Sequence, residues 1–477
     1  FYFDMNPDSL RKMVEPHVGP FDVSTLSRAC VLNVTYPSSD LFLVIKLEKV
    51  LQGDINECAE PYMKDEKNLD KVRVNAVQCC ERLGKYRMPF AWTAIYLMNV
   101  VSGVNSLERD SCSDKESTGS NSLDRKSSMS NFEQLRKRAS DMGSLTRRGS
   151  LERRTSADKR YSWSPEDLTS SLDTFRPVTL TVTSFFKQES DKLRDEDLYK
   201  FLQDLKRPCS VLKKLKSIPG VLKLDISPFS EDVKGCLTPE LEPLIPVSDF
   251  DTLSGSEGKS RPIKEILEFP AKEVLLPHFF YRNLLYVYPK ELNFTGRTGS
   301  ARNIAVKVQL MCGEEDHHAL PVIFGKSSCP EYCPEAYSTV SYHNKCPNFY
   351  DEVKMSLPAN LTDQHHLLFT FYHISCQRKL EQNTVETPVG YTWLPLFQDN
   401  RLQAGEFILP VMMDHPPPNY SYITPDVLLP GIKWVDNHKG IFTVHVEAVT
   451  SVHTQDIYLD HFLNLCATLE QGRIPQR

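Results

Sequence analysis

The sequence predicts a mainly β protein with two antiparallel β-sandwiches in tandem, a few short helices and a helix near the C-terminus. Many short runs alternate β-branched or aromatic residues with polar ones, and Pro, Gly, Ser and Asn separate them. The order of these runs in the first part of the chain is repeated in the second. At 477 residues the chain is long enough for two or three domains, each with its own core.

The first sandwich, which we call the first block, is expected over residues 31–229, after a lead-in of residues 1–30. It is interrupted by a Ser-rich segment at 102–171 that has few large apolar residues. Such a segment cannot bury enough surface to offset the entropy of ordering, so we expect it to be disordered. The strands and helices predicted around it are strands at 31–36, 41–47, 85–101, 177–186 and 220–229, and helices at 68–83 and 195–205.

The second sandwich, which we call the second block, is expected over residues 263–452, after a Pro-, Ser- and acid-rich linker at 230–262. Its clearest strand has Ile304, Val306, Val308 and Leu310 on one side. About eight strands are predicted, as a two-sheet sandwich requires. Residues 453–477 are expected to start a helical region.

The two blocks share the same order of strand types along the sequence. In each, a long apolar strand precedes a strand with Pro, aromatic residues and Trp, so that Trp92 and Trp393 occupy matching places. Each block then closes with a Gly followed by alternating apolar residues. This similarity favours two related sandwiches.

Composition excludes several classes of function. The net charge of −6 gives no global attraction to nucleic acid or anionic membranes, so any basic site must be local. No apolar run approaches the ~20 residues that span a bilayer. Thirteen scattered Cys fit a reducing, cytoplasmic location. A chain running from Phe1 to Arg477 without an initial Met is expected to be a piece of a longer protein.

No catalytic set, cofactor or metal site is predicted. Nucleophile–base pairs and Walker-type loops are missing from the sequence, which indicates a non-enzymatic segment. Cys329, Cys333, Cys346 and His343 form the one cluster of metal-ligand types, but their Pro-rich, loose spacing favours a plain loop over zinc.

The Ser-rich segment carries repeated basic motifs in which Arg or Lys stands shortly before Ser, as acidic-pocketed kinases require. Phosphate groups on these serines would offer hydrogen-bond acceptors to a phospho-dependent adaptor protein. The alternative is a solvated linker in which the spacing between basic residues and Ser arises by chance. The predicted phosphorylation sites are Ser127, Ser128, Ser140, Ser150, Ser156 and the proline-directed Ser164.

Runs in both blocks resemble one protein family. EILEFP, YRNLLYVYP, GSARNIAVKVQ, PVIFGKSS, HHLLFTFYHISCQ, ETPVGYTWLPL and IKWVDNHKG, together with SSDLFLVIKLEKVLQGDINECAEPYM in the first block, are similar to the dedicator of cytokinesis family, most of all its Zizimin-related subfamily C. The resemblance implies that the second block is a C2-type domain, homology region one. It also implies a Rac- and Cdc42-directed guanine nucleotide exchange factor in Rho GTPase signalling and the cytoskeleton, with its exchange domain C-terminal to this segment.

For the C2-type block two functions remain open. Calcium-binding C2 domains gather Asp carboxylates in their loops, and residues 375–386 contain no Asp. A calcium-independent phosphoinositide site, with recruitment to the plasma membrane, would use the basic loop residues Arg297, Arg302, Lys326, Lys345, Arg378 and Lys379. The acidic run Glu314–Asp316 opposes this reading and favours a sandwich that contacts proteins.

Overall fold

The structure is a computed structural model. It describes residues 1–32, 34, 38–64, 69–102, 165–188, 195–206, 214–229, 237–239, 263–266, 283–299, 301–349, 351–376, 384–450 and 457–470. The expected mainly β fold class, with antiparallel sheets and short helices, is confirmed.

The first block contains one four-stranded antiparallel sheet in the order β2-β3-β4-β5. Its strands, with β1 at the entrance, are β1 (Ala29–Leu32), β2 (Phe42–Val50), β3 (Arg87–Tyr96), β4 (Val178–Lys187) and β5 (Ser217–Ile226). The helices up to residue 206 are α1 (Asp8–Val18), α2 (Ile55–Met63), α3 (Leu69–Leu83), α4 (Leu97–Val101), α5 (Pro165–Thr174) and α6 (Asp195–Lys206).

Helices cover both faces of this sheet in its described part, which differs from the sandwich expected there. On one face Ala59 of α2 packs with a core that includes Ile45 and Phe90. On the other, Leu198 of α6 joins a cluster with Trp92. The strand residues that are buried on each face pack against an apolar helix, so a second sheet is not needed to bury them.

The Ser-rich segment predicted at 102–171 ends earlier than expected. Residues 165–171 belong to α5, in which Leu168 is buried and Leu172 half-buried one turn later. Pro165 stands at the first helical position, where its missing N–H has no cost. Residues 103–164 lie outside the described residues.

A small parallel sheet joins distant parts of the chain in the order β1-β7-β6. It uses β6 (Leu237–Pro239), which lies inside the predicted linker, and β7 (Ile263–Ile266). Strand β7 pairs with β1, so the sandwich of the second block begins at Asn283 in the described residues and not at residue 263.

The second block is a two-sheet sandwich. One sheet has the order β11-β10-β13-β8-β19-β18 and the other β12-β9-β14-β15. The main strands are β8 (Asn283–Leu292), β9 (Ile304–Cys312), β13 (Val353–Ser356), β14 (His365–Ile374), β15 (Glu386–Pro395), β18 (Gly405–Pro410) and β19 (Gly440–Thr450), and the short ones are β10 (Ile323–Phe324), β11 (Tyr332–Cys333), β12 (Ala336–Tyr337), β16 (Phe397–Gln398) and β17 (Arg401–Leu402).

Inward-facing residues of the two sheets form the main core of the second block. Val287 and Val444 come from one sheet, and Val306, Phe369 and Phe371 from the other; all five are fully buried. Burying each such side chain contributes roughly 1.5–3 kcal/mol. Strand β14 is apolar on both sides because its outer face is also covered, which explains its non-alternating sequence.

The two blocks pack against each other. Leu51, Leu83 and Met88 of the first block share a cluster with Ala305 and Ile374, which point outward from the β9–β14 sheet. We call this contact the block interface. It covers the part of that sheet nearest the loops between β8 and β9.

The predicted C-terminal helix is present as α7 (Ile457–Glu470). In the part of the chain that the structure describes, no helix is long and apolar enough to cross a bilayer.

Candidate recognition surface of the second block

The predicted basic site depends on loops at one end of the second block, which we call the apical end. Strand β8 finishes there and β9 begins there, so residues 293–303 connect them at this end. Because β14 runs antiparallel to β9, residues 375–376, which follow β14, and 384–385, which precede β15, lie at the same end. Residues 341–348, which come before β13, also lie there, as does Asp436, which precedes β19 and is beside Gly296.

Asn303 joins these three loops. Its side-chain amide donates to the Ile374 carbonyl at 2.8 Å and accepts from the His343 backbone N–H at 3.0 Å. It is 5% exposed, so both ends of a buried amide are satisfied. Sequence reasoning missed this residue, because an Asn in a loop usually indicates only a turn.

This arrangement places Arg302 and Lys345 on loops that are hydrogen-bonded to each other. The Asn344 N–H donates to the Arg302 carbonyl at 2.7 Å, and Phe294 N–H donates to the Lys345 carbonyl at 2.8 Å. The Arg302 side chain is exposed and that of Lys345 is half-buried. Neither forms an ion pair with any residue that the structure describes. Both cations are therefore available to an anion at the apical end.

Arg297 braces its loop. Its Nε donates to the Val389 carbonyl at 2.9 Å, and one terminal nitrogen donates to the Thr298 carbonyl at 3.1 Å. The guanidinium lies 6.0 Å from the ring centre of Phe294, and its burial lowers the pKa of Arg297 below the usual value. It is at the apical end, but its hydrogen bonds are directed to the protein.

Lys326 is not part of the apical loops, which corrects its predicted placement. Its Nζ lies 3.3 Å from an Asp351 carboxylate oxygen and 4.0 Å from one of Glu48, and 4.8 Å from the Tyr2 ring centre. Burial lowers the pKa of Lys326, but the charges of Glu48 and Asp351 outweigh burial and raise it. Its positive charge therefore pairs with carboxylates from both blocks, Glu48 of the first and Asp351 of the second.

Arg378 and Lys379 lie outside the described residues, as do the six candidate serines. The residues on either side of the 377–383 segment are at the apical end, where the Ser375 N–H donates to the Val385 carbonyl at 2.8 Å. Arg82 of the first block donates to the Cys376 carbonyl at 3.1 Å, so the first block contacts one stem of this loop.

The acidic run Glu314–Asp316 lies at the opposite end of the block. Strand β9 separates it from Arg302, and nine strand residues span roughly 30 Å. The Glu314 carboxylate accepts from the backbone N–H groups of Asn419 and Ser421, and these bonds lower the pKa of Glu314 against the opposing effect of its burial. The run therefore braces a distant loop and does not face the apical cations.

The cysteines considered for zinc do not converge. The Cys346 thiol is at the apical end, 3.5 Å from the Asn293 side-chain oxygen, whereas Cys333 contacts the Pro330 carbonyl beside the N-terminal segment. No group of three His, Cys, Asp or Glu side chains within the described ranges is placed to hold a metal ion.

Comparison with known proteins identifies the second block. Residues 278–458 match the family model described as the C2 domain in Dock180 and Zizimin proteins. A solved C2 domain of plant Extended Synaptotagmin 1 is 14% identical, covers 36% of this chain and 96% of its own, and superposes with a TM-score of 0.21.

Curated relatives match the entire chain. Human dedicator of cytokinesis protein 7 is 54% identical over 100% of this chain, the mouse protein 6 is 50% identical over 100%, and the human protein 8 is 46% identical over 98%. The chain spans about a fifth (21%) of the length of each. Residues 278–458 are thus a C2 domain of the type found in Dock180 and Zizimin proteins, and the chain as a whole is similar to dedicator of cytokinesis proteins 6, 7 and 8.

Proposed function

We propose that this segment recruits a guanine nucleotide exchange factor for Rac- and Cdc42-type small GTPases to phosphoinositide membranes without calcium. The recruiting surface is the apical end of the C2 domain. The whole protein promotes nucleotide release from the GTPase, and that step uses a domain outside these 477 residues. The similarity to dedicator of cytokinesis proteins supports this proposal, together with the cations at the apical end.

The placement of Arg302 and Lys345 on loops that are hydrogen-bonded to each other is the observation that supports the lipid proposal. Two unpaired cations on hydrogen-bonded loops suit a multiply phosphorylated headgroup, which offers several acceptor oxygens at short spacing. Ser375 and Val385, which flank the sequence that contains Arg378 and Lys379, lie at the same end of the block. Glu314 to Asp316, roughly 30 Å away along β9, does not repel a headgroup bound there.

The composition of residues 375–386 supports calcium independence, and Asp436 beside Gly296 is the one Asp described in contact with the 293–299 loop. A calcium site needs six to eight oxygen ligands, mostly carboxylates from neighbouring loops. Residues 375–386 supply no Asp. The positive charges at the apical end contact the anionic headgroup in place of the bound calcium ion of a calcium-dependent domain.

A vesicle sedimentation experiment with the 477-residue chain tests the lipid proposal. We expect binding to vesicles containing phosphatidylinositol trisphosphate and weaker binding to phosphatidylserine vesicles of equal charge, in both cases unchanged by a calcium chelator. The double variant Arg302→Glu/Lys345→Glu should bind at least about tenfold more weakly, since each cation near an anionic surface contributes about 1 kcal/mol.

Arg401→Glu is the matched control, because Arg401 is exposed in the β16–β17 hairpin at the end opposite to the apical loops. It should leave binding unchanged. Equal loss in both variants would indicate a general charge effect and contradict an apical site.

Absence of any vesicle binding would favour the second candidate function, in which the segment contacts proteins and its Ser-rich insert docks phospho-dependent adaptors. One observation favours this alternative: the outer face of the β9–β14 sheet already binds a protein surface, that of the first block. Phosphates at the candidate serines would then replace net positive charge with acceptors for such an adaptor.

A further inference from the structure

Strand β2 lies at an edge of the first-block sheet. Among the described residues it pairs with β3 alone, over the register Phe42↔Tyr96 to Val50↔Arg87. Its residues Leu41 to Leu47 read LFLVIKL, and those at 42–44 and 47 are half-buried. An apolar edge strand of nine residues is an open template for another strand unless something covers it.

The register shows which backbone groups point away from β3. The Leu97 N–H donates to the Leu41 carbonyl at 3.1 Å, which makes this a hydrogen-bonded antiparallel pair. Such pairs alternate along the ladder with pairs whose N–H and C=O groups point away from the partner. The backbone groups of Val44 and Lys46 therefore point out of the sheet edge.

A cleft of about 1590 Å³ lies beside this edge. Val44 to Glu48 all line it. Successive residues of a strand point to opposite faces, so the lining of the cleft by five consecutive residues means that the edge itself, and not one face, opens into it. The other wall is the outer face of the β8–β19 sheet, with Tyr288, Lys290 and His445.

The size and charge of the cleft restrict what it can bind. Small-molecule sites are usually about 300–1,000 Å³, so the cleft is large enough for a polypeptide segment. Most charged side chains of the far wall are paired with one another, but Glu291 forms no ion pair with any residue that the structure describes, so the wall is weakly negative and disfavours an acidic segment. The pairs are Lys290–Glu406 at 2.6 Å, His445–Glu447 at 3.0 Å and Lys354–Glu352 at 3.6 Å.

Residues 1–6 of the N-terminal segment also line the cleft, where side-chain contacts hold them. The Ser328 hydroxyl donates to the Asp4 carboxylate, and Tyr2 lies against Lys326. Phe3 packs on the first-block core. These contacts bind residues 1–6 across the floor between the blocks.

We propose that the β2 edge binds an extended segment of another protein as a fifth strand of the sheet. The outward N–H and C=O groups of Val44 and Lys46 pair with its backbone. Its side chains continue the two apolar faces of β2, so the segment has low net charge and β-branched or aromatic residues. Main-chain pairing gives the affinity, and the alternating side chains give the specificity.

Selection from a phage-displayed library of random peptides of about 12 residues supplies the probe. Selected peptides are then measured against the 477-residue chain and two variants. Lys46→Pro removes an outward N–H and should weaken binding at least about tenfold, because a charge-free hydrogen bond and the fit of the added strand are lost together. Lys46→Thr keeps that N–H and should bind like the wild type.

Hydrogen exchange tests the same site without any variant. The amides of Val44 and Lys46 should exchange fast in the free chain and slow down when peptide is bound, whereas those of Ile45 and Leu47, bonded to β3, should be slow in both. The proposal is overturned if no peptide is selected, or if selected peptides bind Lys46→Pro as tightly as the wild type. Protection of the Val44 and Lys46 amides in the free chain would also overturn it, since a segment of the same chain would then fill the cleft.

Discussion

At the scale of single residues, the imidazole of His366 is neutral and shielded from solvent. It is fully buried. Its Nδ1–H donates to the Gln364 carbonyl at 2.9 Å, and its Nε2 accepts from the Tyr420 hydroxyl at 2.8 Å. Burial lowers the pKa of His366 to about 4, although the nearby Glu314 carboxylate acts in the opposite direction. The His365–His366 dipeptide is therefore structural.

This pKa predicts a pH dependence of stability. In the unfolded chain His366 takes up a proton near pH 6.5, whereas the folded protein keeps it neutral down to about pH 4. Its contribution to stability is present above pH 6.5 and is lost as the pH falls from 6.5 to 4, by about 3 kcal/mol. Urea unfolding of wild type and His366→Gln across this range measures it, because carboxylates common to both cancel. Parallel pH profiles would contradict the prediction.

At the scale of elements, alternation along strands was sufficient to find the second block. Strand β9 was predicted with the correct inward face because Ile304, Val306 and Val308 follow a period of two. Helix α2 was not predicted, since it is short and contains Pro61. The helices that replace the second sheet of the first block were missed as covering layers, because periodicity shows that a face is apolar but not what covers it.

The candidate site was predicted only in part, for a similar reason. Loop position indicated Arg302 and Lys345, which the fold places on loops that are hydrogen-bonded to each other. Lys326 looked equivalent in sequence, but its partners Glu48 and Asp351 come from distant segments that only the packed fold brings together. Ion pairs between residues that are far apart in the sequence cannot be predicted from a local sequence pattern.

The N-terminus of helix α2 allows the contribution of its N-cap residue to stability to be measured. The Asp54 carboxylate accepts from the N–H groups of Asn56 at 2.7 Å and Glu57 at 3.3 Å. Asp54→Ala should reduce the free energy of unfolding by about 1 kcal/mol, and Asp54→Asn, an equally good N-cap, by much less. Urea unfolding followed by circular dichroism measures both. Equal losses in the two variants would show that the cap does not stabilise α2.

At the scale of the whole molecule, the block interface combines apolar contact with polar pairs. Tyr86 of the first block donates to the Glu386 carboxylate, and Lys85 lies 3.3 Å from Glu335. The Val340 N–H donates to the Arg87 carbonyl at 2.8 Å, so the two backbones are joined directly. These contacts surround Ala305, and we expect the two blocks to unfold as one cooperative unit.

Ala305 allows the interface to be broken without disturbing the C2 core. It is fully buried by the first block, while its neighbours Ile304 and Val306 point into the sandwich. Ala305→Glu places an unpaired charge in the interface, which should cost about 3 kcal/mol or more of coupling between the blocks. Calorimetry should then show two transitions where the wild type shows one. Thr387→Glu, exposed on strand β15 of the same sheet, is the control and should keep a single transition. A single, unshifted transition in Ala305→Glu would mean that the two blocks are not held together by this surface.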